Sequence, residues 1–542
     1  MQLKLLKLLF LLFLVFNIGL GSFGLAETSE ARYAEISKEM VVSGDYLHPT
    51  LMGIKHYHKP PLTYYITSLG YQIFGINEFG ARFFLGITLL LQIYLVYRIS
   101  LLIYKDDKIA YASALIYSSF PIVLIAARNL TTDAFLATFI LWSIYLWLQF
   151  KHIKKTSYLY GFFIVLGLAF LTKGPVGLVP SIFFIICWNF FRKEKIKFSV
   201  HLFTGIILML AISCSWFLAI ILDDPNVWHY FIQEQIINRA TNAEQFHRTQ
   251  PIWYYLVLIP ALGLPWIFFI IAYFQKKSKQ IWQELVINKI LIVTAISLLI
   301  LFSLFSSKLI LYILPIFSFI AILGGHIIYK FSEKQLKWFS RIYYVSFAIL
   351  IFGLIASQFL TDIEIPLYSA ILLIGMSIGG MFFFIKLNRS DAISKLLNLG
   401  FYFVLVLLLV HTVMASNNAK IINSFQDVSK FIQKEKGEEL KSVIIFDDLI
   451  PSANFYLDAD IITVRANNYN TFRETQFEEY TVFKKNYINI NVPTELEKFK
   501  NEFKEKELVY IEKKKSPLND SLSYLLETFT HKIEKDKWVI YY

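Results

Sequence analysis

Charged residues make up only 17% of the 542-residue chain, against 56% hydrophobic and 17% aromatic. That scarcity excludes a soluble protein of this length, which would need far more polar residues to cover its surface. Cysteine is almost missing. Cys187 and Cys214 are the two present, each inside an apolar run, and they read as small buried hydrophobes rather than a disulfide or a zinc site. They say nothing about the redox compartment. Short alternating segments that would build a lipid-facing barrel are also absent. Apolar runs of about 18 residues or more stand in their place, long enough to cross a bilayer as a helix. Helices are required because a backbone in lipid must satisfy its own hydrogen bonds.

Thirteen candidate spans are legible, near 5–24, 79–103, 108–127, 133–150, 157–171, 176–191, 200–222, 254–274, 287–305, 309–329, 342–360, 366–386 and 397–415. The first follows Lys4 and Lys7 and ends at Gly24-Leu25-Ala26. A cleavable signal and a signal anchor both fit, and the length of the run favours the anchor. Excess positive charge marks cytoplasmic loops. The formal net charge of +12 falls in short clusters between spans, which argues against nucleic acid as a partner. With a cytoplasmic N-terminus, all six even-numbered connections carry basic residues, from Lys105 and Lys108 through Arg192 and Lys193 to Lys386, Arg389 and Lys395. Thirteen spans then place the C-terminal tail outside the cytoplasm.

The sequence divides into a membrane part, 1–415, including a first external loop at 25–78, and an extracytoplasmic tail, 416–542. In the tail charges become frequent and apolar runs shrink to strand length. Ser424 to Leu440 has helical amphipathicity. Val443–Phe446, Ile461–Val464, Leu508–Ile511 and Trp538–Tyr542 read as strands. A small α/β domain follows, since about 125 residues can bury a core of their own. The tail shows no nucleophile elbow, phosphate loop or metal signature, and the chain shows no short-period repeat.

Unusual polar residues gather on the external side. In the first loop Tyr33, Ile36 and Met40 fall at helical spacing, so 30–42 reads as an amphipathic helix on the membrane surface, with Ser29 as its N-cap. Asp133 opens the fourth span, Lys173 and Lys308 sit at external ends of others, and the loop 223–253 adds His229, Glu234, Arg239 and His247. One such residue is usually a snorkelling interfacial charge. Several of both signs on one side favour a shared polar site. Its cations suit a phosphate, and a carboxylate suits a base taking a proton from a hydroxyl or amine.

Glu30-Ala-Arg-Tyr-Ala-Glu-Ile-Ser-Lys-Glu-Met40, Ser43-Gly-Asp45, Lys59-Pro60 and Phe79-Gly-Ala-Arg82 closely resemble the first external loop of bacterial aminoarabinose transferases. The wider group includes the protein O-mannosyltransferases. The resemblance continues in order through Asp133, Thr172-Lys173-Gly174, Asn226-Val-Trp-His229, His247-Arg248, Leu264-Pro265-Trp266 and Ser307-Lys308 with Tyr312-Ile-Leu-Pro315. It covers about 25–330; the later spans and the tail match in layout.

The resemblance implies a C-type glycosyltransferase fold in a bacterial inner membrane, with the active site and tail extracytoplasmic. It implies transfer of a sugar from a polyprenyl phosphate, such as undecaprenyl phosphate, to lipid A, another envelope glycan or a protein. Lys59 then matches the lysine that contacts the carrier phosphate, and Arg32 and Tyr33 match positions that shape that region. Lys173, Lys308 and Arg239 would stabilise the phosphate charge that grows as the bond breaks. Asp133 matches an acidic residue near the reaction centre. Two positions depart from the pattern. The usual Asp-Glu pair reads Ser29-Glu30, leaving Glu30 or Glu27 to compensate, or Asp133 to act alone. The residue before Lys59 is commonly a metal-holding Glu, and here it is His58. A divalent metal held by His58 and His247 is the corresponding expectation. Protein O-glycosyl transfer and movement of a lipid-linked sugar across the membrane are the alternative functions. The one-sided placement of the polar groups speaks against a transporter, whose polar groups gather near the midplane.

Overall fold

The computed structural model describes residues 2–27, 29–195, 198–231, 250–360, 363–386, 391–466, 475–503 and 507–542. In chain order the helices are α1 (Gln2–Asn17), α2 (Ser29–Ser43), α3 (Leu62–Phe74), α4 (Glu78–Tyr104), α5 (Asp107–Ser118), α6 (Pro121–Arg128), α7 (Thr132–Ile153), α8 (Thr156–Lys173), α9 (Val179–Arg192) and α10 (Val200–Asp223). They continue with α11 (Tyr254–Leu262), α12 (Trp266–Glu284), α13 (Val286–Leu304), α14 (Leu314–Ile327), α15 (Glu333–Ala356), α16 (Leu367–Lys386) and α17 (Ala392–Asn417). Every one of the thirteen runs read from the sequence contains a helix, although the first is helical only as far as Asn17. Among the described residues nine helices are long and apolar enough to cross a membrane, or eleven if each of two bent pairs is one span. The other two runs form the shorter α1 and α9. The chain is a multi-pass membrane protein.

The bent pairs are α5 with α6, at 60°, and α11 with α12, at 109°. Each break falls at a proline, Pro121 in one and Pro265 in the other, where a missing N–H and the ring interrupt the helical ladder. The breaks meet: Trp266 Nε1 donates to Ser119 Oγ at 2.7 Å, both buried. A hydroxyl thereby satisfies an indole that would otherwise be stranded in the interior.

Residues fall into two compact units. One comprises Met1–Leu20, Lys59–Thr63 and Arg82–Asn417; the other comprises Gly21–His58, Tyr64–Ala81 and Asn418–Tyr542. The sequence boundary at 415/416 kept 25–78 with the membrane part, whereas packing gathers most of that loop with the tail.

Within the first unit, α1 buries Leu5, Leu8, Leu12 and Phe16. The carbonyls just beyond its end receive two buried guanidiniums: Arg128 Nη2 donates to Ile18 O at 2.8 Å and Arg82 Nη1 to Leu20 O at 3.0 Å. Cleavage after Ala26 would take these acceptors away, and hydrogen bonds to charged groups contribute about 1.5–3 kcal/mol each. The purified protein is therefore expected to retain α1. An intact mass lacking residues 1–26 would refute this.

The second unit contains a six-stranded sheet in the order β5-β4-β3-β6-β8-β7. Its strands are β3 (Ser442–Phe446), β4 (Asp460–Arg465), β5 (Tyr487–Asn489), β6 (Leu508–Lys513), β7 (Lys532–Lys535) and β8 (Trp538–Tyr541), after the short first-loop hairpin β1 (Thr50–Leu51) and β2 (Ile54–Lys55). Strands β3 to β6 pair in parallel, while β8 is antiparallel to both β6 and β7. Ser-Val-Ile-Ile-Phe of β3 is buried throughout, as expected for a central parallel strand covered on both faces. The tail helix anticipated at 424–440 runs from Gln426 to Lys436 and stops at Gly437, whose φ is +53°.

Helix α2 forms where the periodicity placed it, but its apolar face is not turned to a membrane surface. Ile36 and Met40 lie in one core with Phe425, Val428, Ile432, Val443 and Ile445 of the tail. Tyr71 donates to Ala34 O at 3.1 Å, and Ser68 to Ser37 O at 3.1 Å. The same amphipathic stripe satisfies either environment, and here a protein core covers Ile36 and Met40.

Candidate active site

Helices α7 and α8 form an antiparallel hairpin through Lys154, which takes the left-handed conformation at φ +56°. An antiparallel pair brings the start of one helix to the end of the other. Asp133, in the first turn of α7, and Lys173, the last residue of α8, therefore meet. The Lys173 Nζ to Asp133 Oδ1 distance is 2.5 Å, with both side chains nearly buried. Each charge also sits at the helix end that favours its sign. Lys173 Nζ lies 3.8 Å from the centroid of the Tyr312 ring, a placement in which the ring quadrupole attracts the ammonium.

Tyr312 belongs to a turn, Ile310–Ile313, entered by an extended segment that carries Lys308. That segment is tied on both sides. Gln250 N donates to Ser306 O at 3.1 Å, and the Tyr255 hydroxyl donates to Leu309 O at 3.0 Å. Lys308, 4% exposed, directs its ammonium to Gln250 O at 2.8 Å. Lys59, half-buried, belongs to the same unit. The helical unit thus holds Asp133, Lys173, Lys308 and Lys59.

The remaining described candidates lie in the loop-and-tail unit. The Glu30 carboxylate turns back to accept the Ala26 amide at 2.9 Å. Arg32 and Tyr33 occupy the next positions of α2, with the Tyr33 ring 5.6 Å from that of Tyr64. His58 is buried, its ring edge-on to His56 at 4.3 Å and tilted against Phe477 at 5.4 Å. Among the described residues no group of three or more His, Cys, Asp or Glu side chains could hold a metal ion. Arg239 and His247 lie outside the described residues.

Sequence reasoning gave no role to Tyr312, Tyr255 or Gln250, although the motifs Trp253-Tyr254-Tyr255 and Tyr312-Ile-Leu-Pro315 belong to the resemblance. Tyr312 stood inside a motif already singled out, but its contact with Lys173 joins separate helices. Tyr255 and Gln250 act through backbone carbonyls and leave no charge pattern to read.

Residues 58–217 match the family described as dolichyl-phosphate-mannose-protein mannosyltransferase. Among similar relatives, undecaprenyl phosphate-alpha-4-amino-4-deoxy-L-arabinose arabinosyl transferase 1 of Pseudomonas fluorescens is 30% identical over 314 residues, 57% of this chain and 56% of the relative. The corresponding transferase 2 of Proteus mirabilis is 31% identical over 252 residues, 46% of this chain and 45% of the relative. The chain spans about half the length of these curated relatives. The structure of ArnT from Cupriavidus metallidurans bound to undecaprenyl phosphate aligns with a TM-score of 0.77 at 20% identity, covering 99% of this chain and 97% of that one. This chain has the C-type glycosyltransferase fold. In sequence and fold it is similar to the aminoarabinose transferases. The stretch matching the mannosyltransferase family includes Lys59, Asp133 and Lys173, and the structural likeness to ArnT extends over nearly the whole chain.

Proposed function

We propose that this chain is a glycosyltransferase of the bacterial inner membrane that moves a sugar from a polyprenyl phosphate to an extracytoplasmic acceptor, with lipid A as the acceptor class and 4-amino-4-deoxy-L-arabinose as the sugar. The observation that carries the reading is the Asp133–Lys173 pair beneath Tyr312, with Lys308 held four residues before Tyr312 in the chain. The names of the similar relatives supply the donor and sugar class. The distribution of basic loops supports an external site and an external tail domain.

The chemistry is a single displacement. An acceptor oxygen attacks the anomeric carbon while the bond from that carbon to the phosphate oxygen breaks. The products are the glycosylated acceptor and free polyprenyl phosphate. Charge builds on the departing phosphate, and Lys59, Lys173 and Lys308 supply fixed positive charge for it. Asp133 engages Lys173 through Oδ1, leaving Oδ2 to orient the acceptor and take its proton when it is a hydroxyl. An acceptor phosphate is already ionised and requires only orientation. The resemblance of their motif assigns Arg32 and Tyr33 to carrier binding and makes Glu30 the second candidate catalytic carboxylate.

Purified full-length protein in nanodiscs, given labelled undecaprenyl phosphate–aminoarabinose with lipid A and with extracted envelope protein, is expected to label lipid A. Label in protein would move the acceptor assignment to a protein O-glycosyltransferase. Transfer of label to neither acceptor would overturn the proposed activity.

A further inference from the structure

The helix that carries Glu30, Arg32 and Tyr33 is gripped by one short piece of the tail, Pro451–Tyr456. Ser452 donates its amide to Glu27 Oε1 at 2.9 Å and its hydroxyl to the same oxygen. Asn454 donates its side-chain amide to Glu35 Oε1. Lys38 Nζ donates to Asn454 O at 2.5 Å, and the Leu25 amide donates to the Tyr456 hydroxyl at 2.8 Å. Four residues of the loop thus bond to three residues of a single tail segment.

We propose that the tail domain positions the motif helix α2 through Ser452 and Asn454, and that protonation of Glu27 and Glu35 governs this docking. The statement about positioning rests on the glycosyltransferase reading; the statement about docking does not.

Glu35 is fully buried, and Glu27, itself half-buried, has its Oε2 atom buried with no hydrogen-bond partner among the described residues. Around Glu27, Ser452 donates, Asp448 of the tail opposes ionisation and Arg32 of α2 favours it. Around Glu35 stand Asn454 of the tail, with Lys38, 3.6 Å away, and Glu39 of α2. Burial pushes Glu27 up to about 7, with the Ser452 bonds and Arg32 only partly offsetting it. Burial also pushes Glu35 up, and Glu39 adds to that shift while Lys38 resists it.

The sign follows from the direction of the shifts. A carboxyl whose docked value lies above its free value binds its proton more tightly when docked. Docking is therefore strongest when both groups are neutral, and weakens as pH rises from the ordinary carboxylate range through about 7. A free carboxylate in water gains hydration that the docked one has lost, and that difference drives the release.

Hydrogen–deuterium exchange on the full chain in nanodiscs tests the docking without any activity. After correction for intrinsic exchange, protection of 29–43 and 451–456 is expected to fall about tenfold between about pH 6 and about pH 9. Glu27→Gln with Glu35→Gln keeps neutral hydrogen-bonding groups and is expected to hold protection across that range. Constant wild-type protection would overturn proton control. Loss of protection at every pH in the double variant would overturn the neutral form as the docked form. Ser452→Ala with Asn454→Ala is expected to expose α2 at low pH and to lower kcat about tenfold, while steepening the fall in rate with rising pH. Normal exchange and a normal pH profile in that variant would remove the tail's positioning role. A docked, proton-sensitive α2 in a protein that transfers no sugar would sink the glycosyltransferase reading alone.

Discussion

Asp133→Asn is expected to lower sugar transfer to a hydroxyl-bearing acceptor by about 10²–10⁴-fold, the range contributed by a positioned general base. The effect has two separable parts. The amide cannot accept the acceptor's proton, and it also leaves the buried Lys173 ammonium without its counter-charge. Breaking one side of a buried pair costs about 3–5 kcal/mol, whereas removing both charges with matched volume is far less costly. Asp133→Asn with Lys173→Met is therefore expected to recover thermal stability but not turnover. Single-turnover rates and melting temperatures of the wild type and the two variants, measured in the same detergent, decide the matter. Recovery of turnover in the double variant would show that Asp133 serves the fold and not the reaction. Transfer to an acceptor phosphate should fall less than transfer to a hydroxyl, because that acceptor has no proton to lose.

Lys308→Met is expected to lower kcat by about 10²–10³-fold, comparable to the removal of one fixed group that stabilises transition-state charge. The argument is geometric. Lys308 is nearly buried, bonded to Gln250 O at 2.8 Å, and carried on a segment tied by Ser306 and Leu309. An ammonium held this way meets new phosphate charge with little reorganisation. Its benefit should appear in kcat more than in the KM for the donor, since the charge it answers appears on bond breaking. Lys308→Arg is not expected to rescue, because a planar guanidinium cannot take the place of a compact ammonium bonded to one carbonyl. Initial rates over a range of donor concentrations provide the check. Equal effects of Lys308→Met on donor binding and on turnover would instead mark a ground-state phosphate contact.

Much of the fold is visible along the chain because lipid imposes a one-dimensional rule. A segment that crosses must be apolar over a fixed length, so the runs themselves locate the helices. The tail strands at 443–446, 461–464, 508–511 and 538–542 were legible for a similar reason, as short apolar stretches bounded by charge. Helix α2 was legible as a helix but not in its surroundings. Its stripe of Ile36 and Met40 fits a membrane surface or a protein core equally well, and the choice was made by distant residues such as Val428 and Ile432. The metal expectation pairs His58 with His247, and His247 lies outside the described residues. A histidine in sequence carries its ring nitrogens but not its neighbours, and His58 has ring contacts with His56 and Phe477 that no spacing announced.

The sequence by itself determined a multi-pass helical membrane protein with polar residues gathered toward one face, and its ordered motifs pointed to a carrier-phosphate sugar chemistry. Those features are local or follow from counting charges between spans. Tertiary structure alone decided which of the charges are partners. Asp133 and Lys173 meet because an antiparallel hairpin folds two helix ends together, and Tyr312 joins them from another element. Lys308 gains its direction from a backbone carbonyl, which no residue identity encodes. The two carboxylates Glu27 and Glu35 become unusual only when the tail buries them. Charge in a sequence is a property of the residue; its energy is set by distance and solvation, and those exist only once the chain has folded.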